Sequence, residues 1–234
     1  MTAKSIIEEL KPLGRESYKK VILKHGAKEP CFGVSVEDLK KIQKRIKMDY
    51  RLALDLFATG VYDAQYLAGL IADDAKMTRE DLQRWAESAC EPLIGSAVAW
   101  VAAGSKQVPA LALEWMDSKK ELVAAAGWAT MSSLVAIRDD AELDLPGLKR
   151  LLQRVQAEIH QAPEEVRYKM NGFVIAVGCY VQPLTAFALG IGEKIGPVTV
   201  DMGETACQVP SAPEAIRKVE KRGAIGKKRK SAKC

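Results

Sequence analysis

Residues 123–136 read VAAAGWATMSSLVA, a long segment without a single charged side chain. A helix of this composition is buried on most of its sides by neighbouring helices. Elsewhere in the chain the apolar residues recur with helical spacing, as Leu39, Ile42 and Ile46 do at i, i+3 and i+7. The pattern predicts a protein of packed helices, one of which is almost fully buried.

Helix boundaries are marked along most of the chain. Ser35, Thr78 and Ser118 are each followed, three residues later, by an acidic residue, which is typical of a helix N-terminus. Gly60 and Gly104 stand where such helices would end. About a dozen helices without heptads favour antiparallel helix pairs that stack side by side. We therefore predict an all-α fold, an α-α superhelix of the kind formed by HEAT and ARM repeats.

Composition divides the chain into three segments. Residues 1–195 carry the helical pattern and are expected to form a helical-repeat domain. Residues 196–222 are expected to form a connector, with a short extended stretch at 197–201 and a short helix near 213–222. Residues 223–234, called the tail, contain basic residues and glycines but no acid, which predicts a flexible basic arm.

Several classes of protein are excluded by composition. No apolar run reaches the roughly 18–20 residues of a membrane helix, and the charged N-terminus does not resemble a secretory signal. The five cysteines include no CxxC pair, which is typical of a reduced protein and argues against a zinc knuckle or a disulfide framework. The expectation is a cytoplasmic monomer with no membrane partner, metal or cofactor.

The net charge of +5 is unevenly distributed along the chain. Residues 1–47 contain 12 basic and 6 acidic residues, and residues 214–234 contain 9 and 2, whereas residues 48–213 are acidic overall. Basic ends favour a polyanionic partner, and improved solubility is the competing explanation.

The segment 35–47 is the strongest candidate for contact with a polyanion. Its cations lie on the side of the predicted helix opposite the apolar residues, so that its polar side is almost purely positive. Such a side suits contact with phosphates, whereas an ordinary solvated side would mix both signs of charge. The cations are Lys40, Lys44 and Lys47, with Lys41 and Arg45 widening the row.

Two further groups of cations are candidates for phosphate contacts. Arg167 and Lys169 form a pair on the helix that begins near Pro163. A flexible cationic tail would settle on phosphates without sequence preference, whereas a solubility tail would contact none. The cations of the tail are Lys227, Lys228, Arg229, Lys230 and Lys233.

Signatures of common catalytic sites are missing from the sequence. Gly190-Ile-Gly192 begins a dinucleotide-like pattern, but Ile195 breaks it. His25 and His160 favour surface or capping roles over catalysis, and the acidic stretch 139–144 favours a solvated loop over a cation site. Tryptophans recur at a spacing typical of aromatic core positions in helical repeats, with base stacking as the alternative. They are Trp85, Trp100, Trp115 and Trp128.

Five segments follow one another in a recognisable order: FGVSVEDLKKI at 32–42, LALDLF at 52–57, LAGLIAD at 67–73, GWATM at 127–131 and RYKMNGFVI at 167–175. In order and spacing they resemble AlkD-like DNA alkylation-repair proteins, over most of the predicted domain. The resemblance implies a concave stack of HEAT-like repeats that holds duplex DNA by its backbone. Active members of that family are glycosylases that excise cationic alkylated purines, such as 3-methyladenine and 7-methylguanine.

The segment that carries catalysis in those proteins departs from the family pattern here. The pattern is a Trp-Asp-x-x-Asp-like run, whose second acid stabilises the positive charge that develops on the deoxyribose. Gap-free placement puts Cys90 at the tryptophan, Glu91 at the first acid and Ile94 at the catalytic acid. Because a hydrocarbon side chain cannot stabilise a cation, no catalytic residue is assigned. Glu91 takes that role only if the register shifts by three residues.

Other positions that contact DNA in the family are partly retained. By the resemblance, Phe173 supplies an expected aromatic residue, and Arg167 and Lys169 match cationic positions. Cations are missing at three expected positions, which are Ala124, Ala125 and Ala176.

Three functions are compatible with these residues. The basic helix and the resemblance favour a DNA-binding protein of the alkylation-repair family, bound to duplex DNA through its phosphates and weakly catalytic or inactive because of Ile94. The second is a working glycosylase for alkylated purines that uses Glu91 or another acid. The third is a helical-repeat scaffold for protein or RNA, which the acidic middle of the chain favours.

Overall fold

The computed structural model of this protein describes residues 1–203 and 205–233, whose regular secondary structure is entirely helical. Within those residues no strand is formed, and the stretch 197–201 has no regular structure. The all-α fold predicted from the hydrophobic spacing is confirmed. The helices are α1 (Ala3–Leu10), α2 (Glu16–Lys24), α3 (Val36–Ile46), α4 (Tyr50–Ala58), α5 (Tyr62–Ile71), α6 (Arg79–Ser88), α7 (Glu91–Leu93), α8 (Ala99–Gly104), α9 (Ala110–Met116), α10 (Glu121–Ile137), α11 (Leu145–Glu158), α12 (Glu164–Tyr180), α13 (Thr185–Ile195) and α14 (Ala212–Lys221).

The described chain divides into two compact units. The first contains Met1–Leu111 together with Gly203, Thr205 and Lys233, and the second contains Ala112–Met202 and Ala206–Ala232. The predicted helical domain at 1–195 stays a prediction, and beside it the chain has a division that no sequence pattern marks. It falls within α9, where the apolar spacing continues without interruption and gives no sign of a boundary.

In the first unit, α4 packs against α5, and α5 packs against a π-helical turn at Ile94–Val98 that joins α7 to α8. A glycine makes the second contact close: a β-carbon added at Gly69 would lie 2.5 Å from that of Ala97. Aromatic rings fill the remaining space, and Phe57 stacks on Trp85 with ring centroids 4.0 Å apart.

In the second unit, α10 packs against α12 and holds the uncharged segment at 123–136. Nearly every residue of that segment is buried, so the predicted burial is confirmed. Trp128 of α10 meets Phe173 of α12 edge to face, with centroids 5.4 Å apart. Among the described helices none alone is long and apolar enough to cross a membrane; only Glu164–Tyr180 taken with Gln182–Ile195, bent by 115° from each other, meets that criterion.

The tryptophans are all core residues, which confirms the packing interpretation of their spacing. Side chains buried to this extent offer no ring face on which a DNA base could stack. Their exposed fractions are 3% for Trp85, 9% for Trp100, 1% for Trp115 and 0% for Trp128.

The tail differs from the flexible arm that its composition predicts. Gly226 donates its N–H to a carbonyl of α12 at 2.9 Å, and Arg229 donates its N–H to the Ala136 carbonyl near the end of α10 at 2.7 Å. The last carbonyls of a helix lack partners within the helix, so they accept hydrogen bonds from such a segment. Residues 223–233 are therefore docked on helix ends, and Cys234 lies outside the described residues.

Candidate nucleic-acid interface

Helix α3 begins where its sequence signature places it. The Ser35 hydroxyl accepts the Asp38 N–H at 3.2 Å and donates to the Asp38 carboxylate at 2.7 Å. The apolar side of the helix is buried, with Leu39 and Ile42 only 2% and 3% exposed. This burial fixes the rotation of α3 about its axis and turns the opposite, basic side towards solvent.

A buried carboxylate in α5 holds the loop that leads into α3. Asp63, which is fully buried, accepts the backbone N–H groups of Phe32 at 2.6 Å and Val34 at 2.7 Å. Gly33 in the same loop has a φ of +76° and accepts the Arg15 N–H at 3.1 Å. The loop is thus fastened from two sides, which makes α3 a rigid element. Sequence reasoning missed Asp63, whose signal is a carboxylate within an otherwise apolar helix.

The five cations of α3 form two classes. Lys41 pairs with Asp38 at 2.8 Å and with Glu37 at 3.1 Å, and Arg45 forms a two-armed ion pair with Glu9. These acids offset the charges of their partners. Lys40, Lys44 and Lys47 have no acidic partner within residues 1–203 and 205–233, and we call them the α3 face.

The ion pair between Lys41 and Asp38 shifts the pKa values of both side chains. The hydrogen bond from Lys41, followed by that from Ser35, lowers the pKa of Asp38. The hydrogen bond to Asp38 in turn raises the pKa of Lys41. Both groups therefore stay charged and paired at neutral pH, and Lys41 has less charge to offer a ligand than the α3 face has.

Lys47 ends α3 in an unusual backbone conformation. Its φ of 65° and ψ of −110° fall in a region that favours glycine, and its N–H donates to the Gln43 carbonyl at 2.6 Å. A non-glycine residue there costs about 1–3 kcal/mol and commonly marks a functional position. The cost is consistent with a role for this lysine at the end of the cationic row.

The aromatic residue predicted to contact DNA is not available to a ligand. Phe173 is fully buried and packs edge to face on Trp128. It therefore belongs to the core of the second unit, and its assignment as a DNA contact is corrected.

The cationic pair on α12 also has structural partners. The Arg167 guanidinium donates to the carbonyl oxygens of Thr199 at 2.8 Å and Ala162 at 2.9 Å, so it fastens the irregular stretch after α13 to α12. The Lys169 side chain is only 13% exposed and lies 4.0 Å from the Glu165 carboxylate. Both cations therefore have partners within the second unit, and their role as phosphate contacts stays a prediction.

The cations of the tail are divided in the same way. The Lys228 ammonium lies 2.8 Å from the Asp140 carboxylate and 2.9 Å from the Val135 carbonyl oxygen, and its side chain is 14% exposed. Lys233 lies 2.7 Å from the Asp74 carboxylate and is 15% exposed. Lys228 is thus corrected from a phosphate contact to a docking residue. The exposed cations of the tail are Lys227, Arg229 and Lys230.

The segment aligned with the family's catalytic run is closed to solvent at its key position. Ile94 is fully buried and begins the π-helical turn that joins α7 to α8. The Glu91 carboxylate lies against Gly26, so closely that a β-carbon at that glycine would overlap it. The first unit therefore has a buried hydrocarbon at the position where the resemblance implies an acid.

Other polar groups considered from the sequence have structural roles. A ring nitrogen of His160 lies 2.8 Å from the Ile195 carbonyl oxygen at the end of α13. Asp144 accepts the Gly147 N–H at 3.0 Å and so caps α11. No group of three or more metal-ligating side chains occurs within the described ranges.

A cavity of about 330 Å³ in the second unit is mostly apolar. Its one arginine, Arg154, forms ion pairs at 2.8 Å with both Asp117 and Glu158, so that its charge is balanced. The other cation of the lining, Lys119, is accompanied by Glu121, so the charges of the lining balance and the cavity is poorly suited to a phosphate. Its lining includes Met116, Ala124, Val166 and Met170.

Comparison with known proteins places these features among relatives. The family model of DNA alkylation repair enzymes matches residues 6–184. Uncharacterised proteins of Listeria innocua and Listeria monocytogenes are each 30% identical over 220 residues, covering 92% of this chain and 95% of theirs. A solved structure from a new family of proteins related to the HEAT-like repeat DNA glycosylases, with affinity for branched DNA structures, has a TM-score of 0.93 and 36% identity, covering 100% of both chains.

Proposed function

This chain belongs to the DNA alkylation repair enzyme family, and from that premise we propose that it is a DNA-binding protein that holds duplex and branched DNA by their phosphates without excising alkylated bases. The observation that carries the proposal is the 36% identity, over the whole of both chains, with a protein family that has affinity for branched DNA structures. The α3 face supplies a matching chemistry, because unpaired lysines on a rigid helix bind phosphates without reading sequence.

The spacing of the α3 face supports contact with one DNA strand. Lys40 lies seven residue steps before Lys47, which follows the end of α3, so the row is roughly 10 Å long at 1.5 Å per residue. Successive phosphates of one strand are separated by about 3.4 Å along the axis of DNA, so the row is about three phosphates long. The paired cations Lys41 and Arg45 border the row and can add charge only by giving up their acids.

Absence of base excision is proposed from the position of Ile94. A glycosylase needs a negative group beside the deoxyribose as its positive charge develops, and loss of such a group commonly costs roughly 3–4 kcal/mol of barrier. Ile94 is hydrocarbon and fully buried. The Glu91 carboxylate, the alternative acid, is packed against Gly26.

The proposal is tested by two measurements on the wild-type chain. The first is the affinity for a four-way DNA junction and for a linear duplex over a range of salt concentrations. We expect binding to both, tighter for the junction, with a log-log salt slope of about 0.9 per phosphate engaged. The second is single-turnover release of 7-methylguanine from methylated duplex DNA, which we expect at background.

Each measurement has an outcome that contradicts the proposal. Failure to bind either DNA would favour the scaffold function. Rapid release of 7-methylguanine would favour a working glycosylase, and loss of that release in Glu91→Gln would assign the acid to Glu91.

A substitution at Ile94 tests whether base excision is absent only because an acid is missing, or because the surrounding site also differs. Ile94→Asp places a carboxylate in a fully buried position, so we expect destabilisation by about 3 kcal/mol or more and no gain of base release. Ile94→Val, which keeps the position apolar, is the matched control and should cost only about 1 kcal/mol. Base release that appears in Ile94→Asp would show that the rest of the site is intact.

A further inference from the structure

Helix α14 carries a set of cations that the function proposed above does not use. They lie in the C-terminal half of the helix and just beyond its end, at spacings that place them on one side. A shallow depression of about 350 Å³ is lined by these residues and Glu214. The cations are Arg217, Lys218, Lys221 and Arg222.

The opposite side of α14 is anchored firmly within the second unit. Ile216 is fully buried, and its side chain approaches Gly178 of α12 so closely that a β-carbon there would overlap it. Near the start of α14, Pro213 lies against Gly192 of α13. The Ser211 hydroxyl caps the helix by accepting the N–H of its third residue at 3.5 Å. The basic side is therefore held in one orientation, unlike a free tail.

Most of the charge on this side is not neutralised by neighbours. Arg217 forms an ion pair with Glu193. Lys218, Lys221 and Arg222 are exposed and have no acidic partner in the part of the chain that the structure describes. Cations at a helix C-terminus are favoured by the helix dipole, worth about 0.3–1 kcal/mol each. That effect stabilises their placement and leaves their charge available to a ligand.

We infer that Lys218, Lys221 and Arg222, called the α14 face, form a second phosphate-binding surface that engages DNA separately from the α3 face. The inference rests on the DNA-binding function proposed above. The depression is lined by four cationic side chains and a single carboxylate, so its charge is strongly positive. A run of phosphates meets several cations at once and releases their counterions. A branched DNA offers such a surface a further arm in addition to the one that the α3 face contacts.

The test compares a variant of the α14 face with a matched control in the full chain. The variant is K218Q/K221Q/R222Q. The control, K4Q/K20Q/K106Q, removes the same charge from exposed lysines that lack acidic partners within residues 1–203 and 205–233. Both are measured with a four-way junction, with a linear duplex of the same arm sequence, and with vesicles of phosphatidylglycerol and phosphatidylcholine, after thermal melting has shown that they fold like the wild type.

We expect the α14 variant to lose junction affinity, with its log-log salt slope reduced by about 1 for each cation removed. Its affinity for the linear duplex should stay close to that of the wild type, as should the control's affinity for both DNAs, and no chain should bind the vesicles. An unchanged junction affinity would overturn the inference and leave the proposed function standing. Equal losses on junction and duplex would also overturn it, because they indicate one continuous surface.

Two remaining outcomes separate the sources of failure. Vesicle binding that depends on the α14 face, with DNA binding unaffected, would overturn the inference in favour of a membrane surface. A wild-type chain that binds neither DNA would contradict the proposed function itself, and the inference would fail with it.

Discussion

The α3 face and the tail are both rows of closely spaced cations, yet the structure uses them differently. On α3, Lys40, Lys44 and Lys47 remain without acidic partners among the described residues, opposite a buried apolar side. In the tail, Lys228 and Lys233 are largely buried and each lies against a carboxylate and a backbone carbonyl oxygen. A run of lysines can therefore form an accessible cationic surface, or it can dock a segment through intramolecular ion pairs and hydrogen bonds.

The difference follows from what surrounds each lysine. An amphipathic helix that buries its apolar side must present its other side to water. The tail has no apolar period to assign a side, so each lysine is placed by whatever partner is in reach. A lysine that loses hydration needs a carboxylate and further acceptors, and Lys228 finds both in Asp140 and Val135.

Charge reversal of the α3 face gives the largest effect that we expect. In K40E/K44E/K47E the three lysines that would contact phosphates become repulsive, so duplex and junction binding should fall by several orders of magnitude at low salt. Affinity measured by fluorescence anisotropy checks this. Because the three side chains make no ion pairs, the melting temperature should stay near the wild-type value.

The control for that variant is K4E/K20E/K106E, which imposes the same change in net charge elsewhere in the first unit. It should weaken binding only modestly, through the overall field. An equal loss in both variants would show that net charge governs binding and that the α3 face has no special role.

Removal of the tail is expected to act first on stability. A chain that ends at Arg222 loses two largely buried ion pairs and leaves Asp74 and Asp140 without their cations, at a cost of about 2–4 kcal/mol. Urea denaturation measures this cost. The truncation should also reduce the salt slope of DNA binding, by at most about 3, because Lys227, Arg229 and Lys230 are exposed. Unchanged stability would show that the tail is the flexible arm that its composition predicts.

The fold was predictable because its signals are local. Spacing at i, i+3 and i+7 located the apolar side of α3, and the uncharged segment at 123–136 located the buried helix α10. The boundary within α9 was not predictable, because the apolar spacing of that helix continues across it. The irregular stretch at 197–201 is fixed by Arg167 from a distant helix, which a local pattern cannot report.

The candidate site was predictable in part for the same reason. The period of α3 assigned its cations to one side, but their pairing with Glu9, Glu37 and Asp38 depends on contacts across the fold and along the helix. Phe173 illustrates the converse error. The resemblance matches a residue type, whereas exposure depends on what packs above the ring, here Trp128.

Two double variants of α3 remove the same charge and so test whether pairing matters. K40Q/K44Q removes unpaired lysines and should lower the salt slope of DNA binding by about 2. K41Q/R45Q removes cations that are already bound to acids, so the slope should change by less than about 1. Equal reductions of the salt slope in the two variants would show that Lys41 and Arg45 leave their acidic partners to contact DNA. The DNA-binding surface of α3 would then include all five cations.

The smallest expected effect concerns the pH dependence of the contact between Lys233 and Asp74. Burial raises the pKa of the Asp74 carboxyl, and the Lys233 ammonium, 2.7 Å away, opposes that rise. A carboxyl whose pKa is higher in the folded than in the unfolded chain favours folding while it is protonated, and this contribution is lost as the pH rises through the folded pKa. Ionised Asp74 therefore lowers the stability of the folded chain at neutral pH, and the Lys233 ammonium offsets part of that loss.

At about pH 7, K233M should lower the free energy of unfolding by about 1 kcal/mol. At about pH 4, where the raised pKa keeps much of Asp74 protonated, the cost should shrink towards that of the hydrogen bond from Lys233 to the Ala72 carbonyl. Urea denaturation at the two pH values measures the difference. In a D74N background the cost of K233M should no longer depend on pH. A cost that is equal at both pH values in the wild-type background would show that the ion pair does not form. Lys228 would then be the one lysine of the tail known to dock through an ion pair, in contrast to the unpaired lysines of the α3 face.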